Sequence, residues 1–221
     1  MSTWSEIMPQ PCNPQSLLGY AKEAHRASQC TCLYCGLGVH DAQGDKAAFD
    51  TWRQFTLEHI VPESRASRDR VLGAIRAAFP RLGEAERLAD WVVKRMNLAT
   101  ACHFCNSAVS HHKKKQQVND AVIAFGSYLD RSASAENAGV THLNGSEVRQ
   151  WLEGLATLII DVWRAKATVA RGKVKWLALN SEEYREKMGY PLNWESATLQ
   201  PGDLDGRLKK HLLSLCCGPE L

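Results

Sequence analysis

Two short segments of this chain bring chemistry-bearing residues together at spacings that mean something. Cys32-Leu-Tyr-Cys35 and Cys102-His-Phe-Cys105 are both CxxC knuckles, and between them Glu58 and His59 stand side by side in Leu57-Glu58-His59-Ile60-Val61-Pro62. Four thiolates from two distant knuckles form the donor set that a structural zinc ion takes in a tetrahedron. A carboxylate beside an imidazole suits other work. Its oxygens can hold a hard cation such as Mg²⁺ or Mn²⁺ while the imidazole takes a proton from water. Neighbouring side chains on an extended strand point to opposite faces, so a joint role requires a bend or bulge, which Pro62 makes plausible. Asn97 precedes the second knuckle and Asn106 follows it directly.

Each of these residues has an ordinary explanation when taken alone. A CxxC pair can be two buried thiols, a His beside a Glu is usually a surface or core pair, Asn97 can be a turn residue and Asn106 a helix cap. Their order along one chain argues for the joint reading. Cys30 could replace Cys32 with different spacing, and Cys32 is preferred because CxxC spacing lets both sulfurs of a knuckle reach one ion. Cys12, Cys216 and Cys217 have no partner at that spacing and receive no role.

The elements that must position these residues follow from patterning. Asn13 can cap a helix running to about Ser28, with Pro14 at its first position and an apolar face through Leu17, Leu18, Ala21 and Ala24. Phe49 to Ile60 is rich in aromatic and β-branched residues and predicts a strand or hairpin arm closed by Pro62. Ser67 to Phe79 and Gly83 to Met96 predict two helices split by Pro80, Asn97 to Cys105 a turn carrying the second knuckle, and Asn106 to about Leu129 a further helix. Small and polar residues from Ser132 to Gly145 suggest a linker. Beyond it, Ser146 to Ala170 predicts a strong amphipathic helix, and weaker helices are expected near Ser181 to Met188 and Leu204 to Leu215.

The whole chain sets bounds on these readings. With 221 residues, 44% hydrophobic and 23% charged, it is long enough to bury a real core. It opens without a secretory signal pattern and holds no apolar stretch long enough to span a bilayer, so a cytoplasmic protein without a membrane partner is expected. Eight cysteines, several in close pairs, then favour metal over disulfides. A net charge of +3 does not by itself argue for nucleic acid. Its distribution is more telling, because His59 to Lys115 carries a surplus of arginine and lysine. Arg65, Arg68 and the run Lys113, Lys114, Lys115 are candidate phosphate contacts, with a solvated surface as the plain alternative.

The segments CLYC, EHIVP, NL and CHFCN, in that order, resemble the frame of the HNH (ββα-metal) nucleases, and they cover about a third of the chain. The resemblance implies an α+β fold: a zinc-stapled ββα core with a helical insertion and flanking helices. The nuclease domain would occupy 1–131, with its core at about 30–130 and the insertion at about 64–96, followed by a helical region at 146–221. It also implies roles. His59 would be the general base, Glu58 and Asn106 the ligands of one catalytic Mg²⁺ or Mn²⁺, and Asn97 the residue that orients His59. Hydrolysis of phosphodiester bonds in DNA would be the activity, in the style of prokaryotic restriction or anti-phage defence effectors. Two departures bear on the metal: glutamate stands where the family more often has aspartate, and Ser110 stands where some relatives have histidine. His111 and His112 fall off that register and are read as phosphate contacts. A non-catalytic zinc-knuckle module that binds nucleic acid, and a nuclease subunit awakened by a partner such as an ATPase, remain as alternatives. The apolar face of Trp151, Leu155, Leu158, Ile159 and Val162 offers a homodimer or partner surface, or else core packing.

Overall fold

A computed structural model describes residues 19–29, 31–39, 54–109, 116–134, 145–183, 185 and 201–217. Within them the chain is mixed and mostly helical. Helix α1 spans Gly19–Ala27, strand β1 Phe55–His59, α2 Arg68–Ala78, α3 Ala85–Trp91, β2 Leu98–Cys102, α4 Gln116–Ser132, α5 Gly145–Asn180 and α6 Pro201–Leu215. Two widened π-helical turns, Val92–Met96 and Phe104–Val109, lie just before and just after β2. The strands form a two-stranded antiparallel sheet, an arrangement compatible with an α+β fold.

Several boundaries differ from those that patterning predicts. The strand expected over Phe49 to Ile60 is Phe55–His59 among the described residues. The turn expected from Asn97 to Cys105 is instead a strand over Leu98–Cys102, all five of whose residues are buried. A strand covered on both faces shows no alternation of polar and apolar residues, so periodicity cannot reveal it. Helix α5 runs ten residues past its expected end at Ala170, because buried small residues continue the helical spacing at Ala170, Val174 and Ala178. The first part of the helix expected from Asn106 is a π-helical turn, residues 110–115 lie outside the described residues, and α4 is described from Gln116. The stretch 135–144, most of the expected linker, lies outside the described residues, as do Asn13, Phe49, Cys12 and Cys30.

The chain divides into two interleaved units. The first draws on Met1–Glu58, Ala99–His112 and Lys166–Leu204, and the second on His59–Leu98, Lys113–Ala165 and Asp205–Leu221. The first unit buries Ala21, Ala24, Leu33, Tyr34, Ala101, Ala167, Ala170 and Val174, with His25 edge-on to Phe55 at 4.7 Å. The second buries an apolar core in which Val71, Ile75, Leu88, Met96, Phe125, Leu129, Leu155, Ile159 and Trp163 are almost fully enclosed. Each such side chain contributes roughly 1.5–3 kcal/mol of transfer free energy.

Directional contacts order that second core. Ser67 caps α2 by accepting from Arg70 N, and Trp91 Nε1 donates to Leu215 O at 3.0 Å. Trp151 Nε1 donates to Ser132 Oγ at 2.9 Å, and the Tyr128 hydroxyl donates to Trp151 O. Of the face considered for a dimer, Trp151, Leu155, Ile159 and Val162 are buried within the chain and Leu158 is half-buried. No described helix is long and apolar enough to cross a membrane.

Candidate metal centre and active site

In the first unit, the knuckles Cys32–Cys35 and Cys102–Cys105 put four sulfurs within 4.8 Å of one another, all of them buried. The first knuckle turns at Gly36, whose φ of 80° is a left-handed conformation that glycine adopts without strain. Gly36 N donates to Cys32 O at 2.8 Å and Cys32 N to Leu37 O at 2.7 Å. Leu33 N donates to Thr100 O, which ties the knuckle to β2, the strand that delivers Cys102. On the second knuckle Cys105 N points at Cys102 Sγ, 3.4 Å away.

Sulfurs held ~2.3 Å from an ion at tetrahedral angles lie ~3.8 Å apart. Cys35 Sγ and Cys102 Sγ are 3.9 Å apart, a spacing compatible with a structural zinc ion. Burial opposes ionisation of Cys32, yet bonds from Cys102, Cys105 and Cys35 hold its thiol well below the ordinary value. Bonds to Cys102, Cys32 and Cys35, together with burial, push Cys105 well above it. A cluster that favours the Cys32 thiolate and resists ionisation at Cys102 and Cys105 is one that a divalent ion completes by displacing protons. Arg171 of α5 braces the site by donating from Nε to Tyr34 O, inside the first knuckle, at 3.0 Å.

The same unit holds Glu58 and Asn106. Glu58 is buried near the end of β1, and Lys166 Nζ donates to its Oε1 at 2.5 Å, with both side chains almost completely enclosed. Asn106 sits in the π-helical turn after the second knuckle, where Nδ2 donates to Thr56 Oγ1 and to Leu57 O, both at 3.1 Å. That amide is thereby bound to β1 one residue before Glu58. Tyr34 is fully buried, and its hydroxyl has no hydrogen-bond partner among the described residues. Burial, then the charges of Glu58, Cys32 and Cys105, push the Tyr34 hydroxyl well above its ordinary pKa.

His59 and Asn97 belong to the second unit. The His59 ring is about one-third exposed, with Nε2 3.3 Å from Glu63 Oε1. Asn97 is fully buried at the end of the π-helical turn Val92–Met96. Its Oδ1 accepts from Val61 N at 2.7 Å and its Nδ2 donates to Val61 O at 2.8 Å. The main chain of Asn97 also accepts from Ile60 N, which carries the antiparallel pairing one step beyond His59. Asn97 thus acts on the backbone that follows His59.

The candidate phosphate contacts fare differently. Arg68 donates from Nε to Asp90 Oδ1 at 3.0 Å, with Glu86 3.8 Å from its other end, so acidic partners already engage its charge. Arg65 is exposed, and among the described residues no carboxylate pairs with its guanidinium. Lys113, Lys114 and Lys115, with Ser110, His111 and His112, lie outside the described residues. A concavity lined by Arg68, Arg76, Phe79, Glu86 and Asp90 holds nearly matched charges, and Arg76 is itself paired with Glu86 at 3.0 Å.

Sequence reasoning overlooked Lys166, Arg171 and Tyr34. The signal for Lys166 was present: a lysine between Trp163 and Ala170, on the apolar stripe of a long helix, is unusual enough to ask for a buried anion. No family model, no curated protein and no solved structure matches this chain.

Proposed function

We propose that this protein is a metal-dependent endonuclease of the HNH kind that hydrolyses phosphodiester bonds in DNA, with a structural zinc at Cys32, Cys35, Cys102 and Cys105. One observation carries this reading. Within the first unit, both knuckles bring their four sulfurs together and Asn106, directly after the second knuckle, bonds to β1 one residue before Glu58; within the second unit, Asn97 clamps the chain just past His59. Structural zinc alone would not require two buried or half-buried asparagines bonded to the backbone on either side of a Glu-His pair.

On this reading the finer architecture is a zinc-stapled ββα core with a helical insertion. His59, partly open to solvent, accepts the proton of the attacking water, and Glu63 lies where it can steady the ring. Glu58 and Asn106 offer a carboxylate and an amide, hard oxygen donors that suit Mg²⁺ or Mn²⁺. Such an ion, when bound, would stabilise charge at the phosphorus and on the leaving oxygen. Exposed Arg65 and the lysine run 113–115 would supply contacts to DNA phosphates without reading its sequence. Action in the cytoplasm, as part of a restriction or anti-phage system, belongs to the same proposal by analogy alone.

A second reading, a non-catalytic zinc module that binds nucleic acid, is favoured by the Lys166 ammonium on Glu58, which occupies an oxygen that a catalytic cation would need. Plasmid DNA incubated with purified protein and Mg²⁺, Mn²⁺ or EDTA separates the two. Metal-dependent cleavage that disappears in the His59→Ala protein supports the nuclease, whereas DNA binding without cleavage in any metal supports the module.

A further inference from the structure

Lys166 lies on the part of α5 whose inward face packs through Ala167, Ala170 and Val174, five residues before Arg171 reaches the first knuckle. Its ammonium is 2.5 Å from Glu58 Oε1, and both groups are about 95% covered. As they stand, one positive and one negative charge cancel. Asn106, which bonds to β1 one residue before Glu58, is a neutral amide and adds no charge.

A divalent ion on the same carboxylate, with the ammonium still in place, would leave an excess of two positive charges in a buried setting. Two uncompensated positive charges at so buried a site carry a desolvation cost that one carboxylate does not remove. A lysine can escape this conflict, because its charge sits at the end of a flexible four-carbon stem and is readily rehydrated. The geometry points to Lys166 as a resident counter-cation of Glu58: ammonium and divalent ion exclude one another there, and the metal enters only as Lys166 withdraws. This rests on the reading of Glu58 as a metal ligand, and it makes α5 a control on metal loading of the site. Anything that fixes Lys166 on Glu58 keeps the site empty of metal, and anything that draws it away opens it.

The test uses zinc-loaded full-length protein and measures Mn²⁺ binding from the free-ion electron paramagnetic resonance signal. Lys166→Met should bind Mn²⁺ at least tenfold more tightly than wild type, and the gain should vanish in the Lys166→Met/Glu58→Gln protein. In wild type, saturating Mn²⁺ should raise acylation of Lys166 severalfold, as read by mass spectrometry of labelled peptides. Equal affinity in wild type and Lys166→Met, lost in both on Glu58→Gln, overturns the exclusion while leaving the metal-dependent nuclease standing. No Mn²⁺ binding by wild type or by Lys166→Met overturns both. Should circular dichroism show Lys166→Met unfolded, the labelling decides, and Lys166 acylation indifferent to Mn²⁺ overturns the proposal.

Discussion

Asn97 holds Val61 as a second strand would, its carboxamide accepting from Val61 N at 2.7 Å and donating to Val61 O at 2.8 Å. Both residues are fully buried, so neither backbone group has water to turn to. The clamp closes the bend between β1 and Pro62 and so fixes the path of the chain directly after His59.

Replacing Asn97 by Ala strands a donor and an acceptor together. With roughly 1–3 kcal/mol for each buried group left unsatisfied, a loss of about 2–4 kcal/mol in unfolding free energy is expected by urea denaturation. Asn97→Asp should also destabilise, because a carboxylate can still accept from Val61 N but faces Val61 O without a proton to donate. A loss below about 0.5 kcal/mol for either variant would mean that the bend is held by something else.

Zinc at the knuckles should be stoichiometric, one ion per chain by elemental analysis of protein purified without added metal. Cys102→Ser removes a buried sulfur that contacts both Cys35 and the Cys105 amide, and should lower both zinc content and thermal stability. Because completing the site requires the high-pKa thiol of Cys105 to lose its proton, zinc affinity should rise with pH above neutrality. Wild-type protein that carries no zinc and melts unchanged in strong chelator would contradict this.

His59 offers a cleaner separation of chemistry from folding. Its ring is partly exposed and its contact, Glu63, is more so, hence the pair contributes less than about 1 kcal/mol to stability. His59→Ala should therefore unfold within that margin of wild type and bind DNA as well, yet cut plasmid at least a hundredfold more slowly if it is the general base. Wild-type cleavage rates in that variant would end the proposed mechanism.

Asp90 should shape the acid limb of the stability profile. Its bond from Lys94 and, after an opposing effect of burial, its bond from Arg68 hold the carboxyl below its ordinary value. A carboxyl depressed in the folded state stabilises above its unfolded pKa of ~3.9, and that stability is lost as pH falls through the folded value. Since the group is about one-third exposed, screening limits the effect to below about 1 kcal/mol. Asp90→Asn should thus cost a few tenths of a kcal/mol at pH 7 and nothing near pH 2. A penalty that is constant across that range would show that the charge is irrelevant.

Much of the candidate site was legible in the residues themselves. CxxC spacing announces metal because two sulfurs on one turn can reach one ion, and the four sulfurs do cluster. Amphipathic spacing announces α2, α4 and α5 because a helix repeats its buried face every three to four residues. What spacing could not reveal was the environment of each charge. Strand β2 escaped notice because it is buried on both faces, and the end of α5 because alanines carry its packing beyond Ala170. Above all, Glu58 and Lys166 are 108 residues apart, and only tertiary packing decides that the carboxylate expected to hold a metal meets an ammonium instead. Local sequence specifies which donors a segment offers; the fold decides which cation reaches them, because a buried charge must find its partner wherever the chain brings one.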